Sequence, residues 1–226
     1  MPLIEFDRVS HRYGERPVLA DVTLRLDEHR IGVIGANGSG KSTFARMLNG
    51  LVLPTQGSVR VAGLDPDKQA RQLRRRVGFC FTDPDAQIVM PTVGEDIAFG
   101  LRRRGLSKDD ITRRVDAALE SYGLAEHRDH PAHLLSGGQK QMLAIASVLV
   151  TDPDLLVMDE PTTLLDLANA RQVSQVVAGL HQQVLLVTHH LGLLEDFDRV
   201  LVFDEGLVVC DAEPHEAVRF YQELMW

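Results

Sequence analysis

Gly35-Ala36-Asn37-Gly38-Ser39-Gly40-Lys41-Ser42-Thr43 is the stretch on which the reading of this chain turns. It fits the pattern G-x-x-x-x-G-K-[ST], and its surroundings give that pattern meaning. Before it, Arg30-Ile31-Gly32-Val33-Ile34 reads as a short strand. After it, Phe44, Met47 and Leu48 fall at helical spacing, and Gly50 supplies a stop. Strand, glycine loop and helix N-terminus together make an anion site. The glycines let backbone N–H groups curl around phosphate oxygens where a side chain would collide, and the helix dipole favours negative charge. In such a loop Asn37, Gly38, Ser39, Gly40 and Thr43 line the cradle. Lys41 reaches the β- and γ-phosphates of a nucleotide, and the Ser42 hydroxyl ligates Mg²⁺. An ordinary glycine turn is the bland alternative, and the flanking strand and helix argue against it.

Composition narrows what such a loop could serve. A chain of 226 residues, 44% hydrophobic and 25% charged, is long enough to bury a full core, as one domain with or without an inserted subdomain. Apolar runs such as Leu155 to Met158 are far too short to span a bilayer, and Met1 to Arg12 carries charges throughout, unlike a signal peptide. Cys80 and Cys210 sit in apolar, strand-like runs and read as buried, reduced thiols of a cytoplasmic protein. Twenty-four basic against thirty-two acidic side chains give a net charge of −8, which argues against a general nucleic-acid binder. Two basic runs, Arg74-Arg75-Arg76 and Arg102-Arg103-Arg104, read as solvated helix faces or strand entrances.

Outward from the loop, residues 3–9 and 21–26 alternate like an antiparallel pair. Tyr13 stands at the turn between them, either as a packing residue or, more attractively beside a phosphate loop, to stack a flat base. Residues 57–61 and 77–81 read as strands, and Thr82 to Gln87 is a polar break. Residues 102–135 lack strand patterns. Ser107-Lys108-Asp109-Asp110 is a capping box for a helix whose face is Ile111, Val115, Leu119 and Tyr122, closed by Gly123. This reads as a helical insertion between the strand ending at Phe81 and the one starting at Leu155. A helix covers residues 140–150. Leu155-Leu156-Val157-Met158 is apolar on both faces, as a central parallel strand is, and ends in Asp159-Glu160. A helix follows over about 167–180, then a strand over 184–187 ending in Thr188-His189-His190, a closing hairpin and a short helix opened by Pro214.

Taken in order, Tyr13, the loop at 35–43, Leu135-Ser136-Gly137-Gly138-Gln139, Leu155 to Asp159, Glu160, Thr163-Leu164-Leu165-Asp166 and His189 resemble the ATP-binding subunits of ABC transporters over the whole chain. The resemblance implies an α/β fold. It has a P-loop NTPase (RecA-like) core with an N-terminal antiparallel β subdomain, and an inserted α-helical subdomain carrying the signature motif. As one domain over 1–226, the core takes about 1–81 and 155–226 and the helical part about 88–154. It further implies ATP and Mg²⁺ as ligands, with Asp159 holding the metal and Glu160 orienting or deprotonating the attacking water. His189 would contact the γ-phosphate, while Ser136, Gly137, Gly138, Gln139 and Asp166 would face the nucleotide of a second ATPase subunit. That subunit would be another copy or a paralogue.

Two positions depart from the family pattern. Thr82 stands where the family places a metal-ligating Gln, and its shorter side chain would reach Mg²⁺ through a water; Gln87 lies five residues too late to substitute. His190 stands where an acidic residue commonly follows the switch histidine. The run Phe81 to Gln87, with Pro91 to Gly100, looks like the energy-coupling-factor (ECF) ATPases of vitamin and cobalt or nickel uptake. The compact length is similar to the biotin-uptake ATPase. The partners implied are an integral membrane coupling protein and a substrate-binding membrane subunit, with the chain peripheral on the cytoplasmic face of the inner membrane. Asp83, Asp85, Glu95 and Asp96, beside Met90 and Val93, are expected either to pair with an arginine of a docking helix or to serve as turn and cap carboxylates. A soluble ABC ATPase of DNA repair or ribosome work is the rival reading. It is disfavoured by the short insertion, two cysteines and single glycine loop. A regulator without turnover is disfavoured by Glu160 and His189.

Overall fold

A computed structural model describes residues 1–102 and 104–225 of the chain. Arg103 of the second basic run and Trp226 lie outside the described residues.

Two sheets organise the protein. The first is antiparallel, ordered β2-β1-β4, with β1 (Ile4–Tyr13), β2 (Arg16–Leu26) and β4 (Gln56–Val61). β1 and β2 form a long hairpin whose last pair, Tyr13 opposite Arg16, flanks the turn Gly14-Glu15. The second sheet is ordered β5-β6-β7-β3-β8-β9, from β3 (Arg30–Gly35), β5 (Val77–Cys80), β6 (Leu155–Asp159), β7 (Gln183–Val187), β8 (Arg199–Asp204) and β9 (Leu207–Ala212). β6, β7, β3 and β8 pair in parallel, and β9 returns antiparallel to close the edge. Every residue of β3, β6 and β7 is buried, which is why these segments read as continuous apolar runs rather than alternating ones.

The register explains where chemistry can collect. Asp159 is level with Val187 and Gly35 with Phe203, so β6, β7 and β3 end side by side. Glu160 N–H then donates to Val187 O and Thr188 N–H to Val33 O, carrying the chain past the edge. Ligands of open parallel sheets bind at such carboxyl ends. The helix after the loop, α1 (Lys41–Met47), lays Phe44 against Phe6 of β1 at 4.6 Å and Phe203 of β8 at 5.0 Å. One fully buried ring thus ties both sheets to the helix that starts at the loop, each ring pair adding about 0.5–1.5 kcal/mol beyond its buried area.

The helices are α2 (Ala70–Leu73), α3 (Val93–Phe99), α4 (Lys108–Ser121), α5 (Gly137–Leu149), α6 (Leu167–Ala178) and α7 (Pro214–Leu224). α4 begins where the capping box placed it, with the Ser107 hydroxyl accepting from Asp110 N–H and Gly123 in the left-handed region at its end. The chain divides into two compact units. The first comprises 1–79, 154–160 and 180–226 and holds the sheets. The second comprises 80–153 and 161–179; it takes α6 along with α3, α4 and α5, a segment that the sequence division assigned to the core.

Candidate active site

In the first unit the glycine loop is built by steric necessity. Gly40 caps α1 at φ +104, and a side chain there would meet Val18 O at 2.6 Å. Only glycine supplies that turn without strain. Lys41 is buried and donates from Nζ to Gly35 O at 2.8 Å and Ala36 O at 2.9 Å. Burial pushes its pKa down, opposed by the charges of Glu160 and Asp159. The Ser39 hydroxyl is buried with no hydrogen-bond partner among the described residues, a donor facing no acceptor inside a cradle shaped for oxygens. Asn37 and Gly38 stand exposed at the loop's tip, and Thr43 is buried on α1. This arrangement fits a polyphosphate.

The strand ends supply the acids. Asp159, only 1% exposed, accepts from the Ser42 hydroxyl at 2.8 Å and lies 3.4 Å from Arg46 of α1. A buried carboxylate beside a loop hydroxyl is the oxygen-donor set that Mg²⁺ takes, and the pair fits the metal. Glu160 follows in the left-handed region at φ +56, a conformation that costs a non-glycine residue of order 1–3 kcal/mol and that clusters at functional sites. The turn aims its carboxylate at His189, whose Nε2 is 2.8 Å from Oε1. Glu160, His189, Asp159, Ser42 and Lys41 therefore converge within one unit.

The hairpin adds two side chains to the same unit. Tyr13 is 51% exposed and rests edge-on against His11. As cross-strand partners, Tyr13 and Arg16 emerge on one face of the sheet. A Cβ built on Gly38 would lie 3.7 Å from the Arg16 guanidinium, so that cation stands over the glycine loop. Neither Arg16 nor Arg46 is part of a local motif, and nothing in the sequence singled them out.

The second unit holds the remaining candidates. Ser136 caps α5, its hydroxyl accepting from Gln139 N–H at 3.3 Å while Gln139 Oε1 accepts from Ser136 N–H at 2.9 Å. The Gln139 side chain is thus committed to a capping box, with its other end against His127. Gly137 has open space around it. At Gly138, by contrast, an added Cβ would collide with the Asn169 carboxamide. Asn169 is held by Asp166, which caps α6 by accepting from Asn169 N–H at 2.8 Å and Nδ2 at 3.0 Å. The glycine start of α5 and the segment ending at Asp166 therefore interlock through a residue that sequence reading passed over.

Thr82 is half-buried in the second unit. Gln87 reaches back, Oε1 accepting from Phe81 N–H at 3.1 Å and Nε2 donating to Ala144 O at 2.9 Å. It ties Phe81, the residue before Thr82, to α5 within the second unit.

The four nearby carboxylates divide. Asp83 accepts from Asp85 N–H as a turn cap, and Glu95 closes a capping box with Thr92 at the start of α3. Asp96, for which docking and capping were both open, is 4% exposed and takes the capping role, accepting from Val89 N–H, Met90 N–H and the Ser147 hydroxyl. Val93 is likewise fully buried rather than surface-facing, because α3 turns it inward. Only Asp85 lines the groove of about 300 Å³ formed with Ile88, Val89, Met90, Pro91 and His133. There it pairs with Lys140 at 2.7 Å. No described helix is long and apolar enough to cross a membrane.

Comparison with known proteins agrees with this geometry. Residues 19–163 match the family described as ABC transporter. An ABC transporter ATP-binding protein of Deinococcus radiodurans is 55% identical over 223 residues, covering 99% of both chains. The biotin transport ATP-binding protein BioM of Rhizobium etli is 46% identical over 221 residues, 98% of each. The structure of CbiO1 from Clostridium perfringens, part of the ABC transporter complex CbiONQ, superposes with a TM-score of 0.85 at 31% identity. That match covers 98% of this chain and 92% of the other.

Proposed function

The chain belongs to the ABC transporter family, whose ATPases hydrolyse ATP to power transport, and on that premise we propose that it drives an ECF-type importer whose cargo is biotin. The observation that carries the catalytic half is the pairing of Glu160 with His189 at 2.8 Å, one residue beyond the Ser42–Asp159 contact. The cargo half rests on full-length likeness to a biotin transport ATPase.

Phosphoryl transfer needs positioning and charge stabilisation rather than covalent chemistry. Tyr13 offers its face to the base. Lys41 exchanges its two loop carbonyls for β- and γ-phosphate oxygens, and Ser39 donates to the same group. Ser42 and Asp159 would hold Mg²⁺ when it binds, and Thr82 is the further oxygen donor proposed for it. When bound, the metal neutralises charge building on the bridging oxygens. Glu160 accepts a proton from, or orients, the attacking water while His189 turns to the γ-phosphate. Ser136, Gly137 and Gly138, with Gln139 and Asp166 bracing them, close over the nucleotide of a second subunit. A homodimer supplies this most simply.

The groove at Asp85 receives the cytoplasmic helix of an integral membrane coupling protein, which in turn contacts a substrate-binding membrane subunit. The chain thereby sits peripherally on the cytoplasmic face of the inner membrane, and nucleic acid has no part. Cobalt or nickel import is the second reading, favoured by likeness to CbiO1 of the CbiONQ complex.

Uptake by cells expressing the whole transporter separates the two. Labelled biotin is expected to accumulate with the wild-type chain and to fall to background with Glu160→Gln, while Glu160→Gln still binds ATP. Uptake of labelled cobalt instead would replace the cargo, and full hydrolysis by Glu160→Gln would remove its role at the water.

A further inference from the structure

The Gln139 carboxamide is held at both ends, and the two bonds fix each other's polarity. Its Oε1 accepts from Ser136 N–H, which can only donate. The amide NH₂ therefore faces His127 Nε2, 2.9 Å away, and that nitrogen must accept. The other ring nitrogen is Nδ1. That Nδ1 is buried without a hydrogen-bond partner among the described residues, and the ring packs edge-on to His130 at 5.1 Å. A turned amide would set NH₂ against Ser136 N–H, donor against donor, so no second arrangement satisfies the box.

The box decides which donors the helix start offers. Gln139 N–H goes to the Ser136 hydroxyl and Ser136 N–H to Gln139 Oε1. The N–H groups of Gly137 and Gly138 are first-turn donors that the helix itself does not use, and the Ser136 hydroxyl keeps its own hydrogen to donate.

We infer that His127 is a positioning residue for the signature turn: through Gln139 it holds Ser136, Gly137 and Gly138 in the orientation that receives a nucleotide phosphate on a second copy of this chain. The inference rests on the proposed sandwich of two subunits, so its test must register the sandwich separately. His127 touches no nucleotide and acts only through the carboxamide.

Purified full-length chain carrying Glu160→Gln is titrated with MgATP, and dimer formation is followed by light scattering. Nucleotide affinity of the monomer is read in parallel with a fluorescent ATP analogue. Glu160→Gln alone is expected to dimerise; if it does not, the sandwich itself fails and the inference with it. Adding His127→Leu, which keeps bulk but cannot accept, is expected to raise the ATP concentration for half-dimerisation about tenfold, the scale of one lost buried hydrogen bond. Monomer affinity should hold within about twofold, because the glycine loop is untouched. Adding His127→Gln instead, whose Oε1 can occupy the Nε2 position, is expected to restore dimerisation to within about threefold. Dimerisation of the leucine variant equal to that of Glu160→Gln alone would overturn the inference. So would equal loss in both variants, since that points to folding rather than to the acceptor.

Discussion

At the scale of single residues, the site spends conformational strain and burial where charge must be controlled. Glu160 occupies the left-handed region and Lys41 is buried with its pKa pushed down, yet each has a partner that keeps it in place. Cys80 shows the same environment acting on a group with no chemistry to do: complete burial pushes its thiol up to about 12, against a weaker opposing hydrogen bond from Gln87. Because the folded value is raised, the stability it contributes is fully present below the unfolded value near 9 and is lost as pH climbs from there towards 12. Relative to Cys80→Ala, the wild type is expected to lose about 1.4 kcal/mol per pH unit in that window. Urea midpoints at pH 8 and 10.5 measure it, and parallel slopes for the two proteins would show that the thiol is not shielded. Residues placed by neighbours in the chain, such as Lys41, Ser42 and Asp159, were legible as candidates from sequence, and they come together in the fold. Arg16 and Arg46 were not, because each meets the site across elements that only folding brings together.

At the scale of elements, strand ends and helix starts carry the function, and their legibility differed with the range of the forces that set them. β3, β6 and β7 announce themselves because total burial leaves an apolar run on both faces, with polar residues confined to the strand ends. The starts of α4 and α5 announce themselves because a capping box spans only four residues. Around α3 the sequence left Asp96 open between docking and capping, and the structure turns it inward to satisfy the backbone donors of residues 89 and 90. A buried carboxylate with three bonds is not distinguishable in sequence from an exposed one. The start of α5 gives a direct test. Gly138→Ala is expected to push the Asn169 side chain off Asp166 and cost about 1 kcal/mol, the scale of that hydrogen bond, while Gly137→Ala, in open space, is expected to be neutral or stabilising by up to about 1 kcal/mol. Thermal melts of the two variants compare them, and equal shifts would mean that the Asn169 contact carries no constraint.

At the scale of the whole molecule, the groove beside Asp85 is the surface proposed for docking to the membrane coupling protein. Asp85→Lys is expected to lower recovery of the membrane coupling protein in a pull-down by about tenfold, through like-charge repulsion of an incoming arginine and of Lys140. Glu95→Gln, which touches only a cap, is expected to leave recovery unchanged; loss in both, or in neither, would move the docking surface elsewhere. Gly138 and Asn169, thirty-one positions apart, also bind the molecule's past. A side chain at 138 is tolerated more readily where residue 169 is smaller than Asn, and Asn169 sits most easily beneath a bare backbone. Among relatives of this chain the residue at one position is therefore expected to bias the size found at the other.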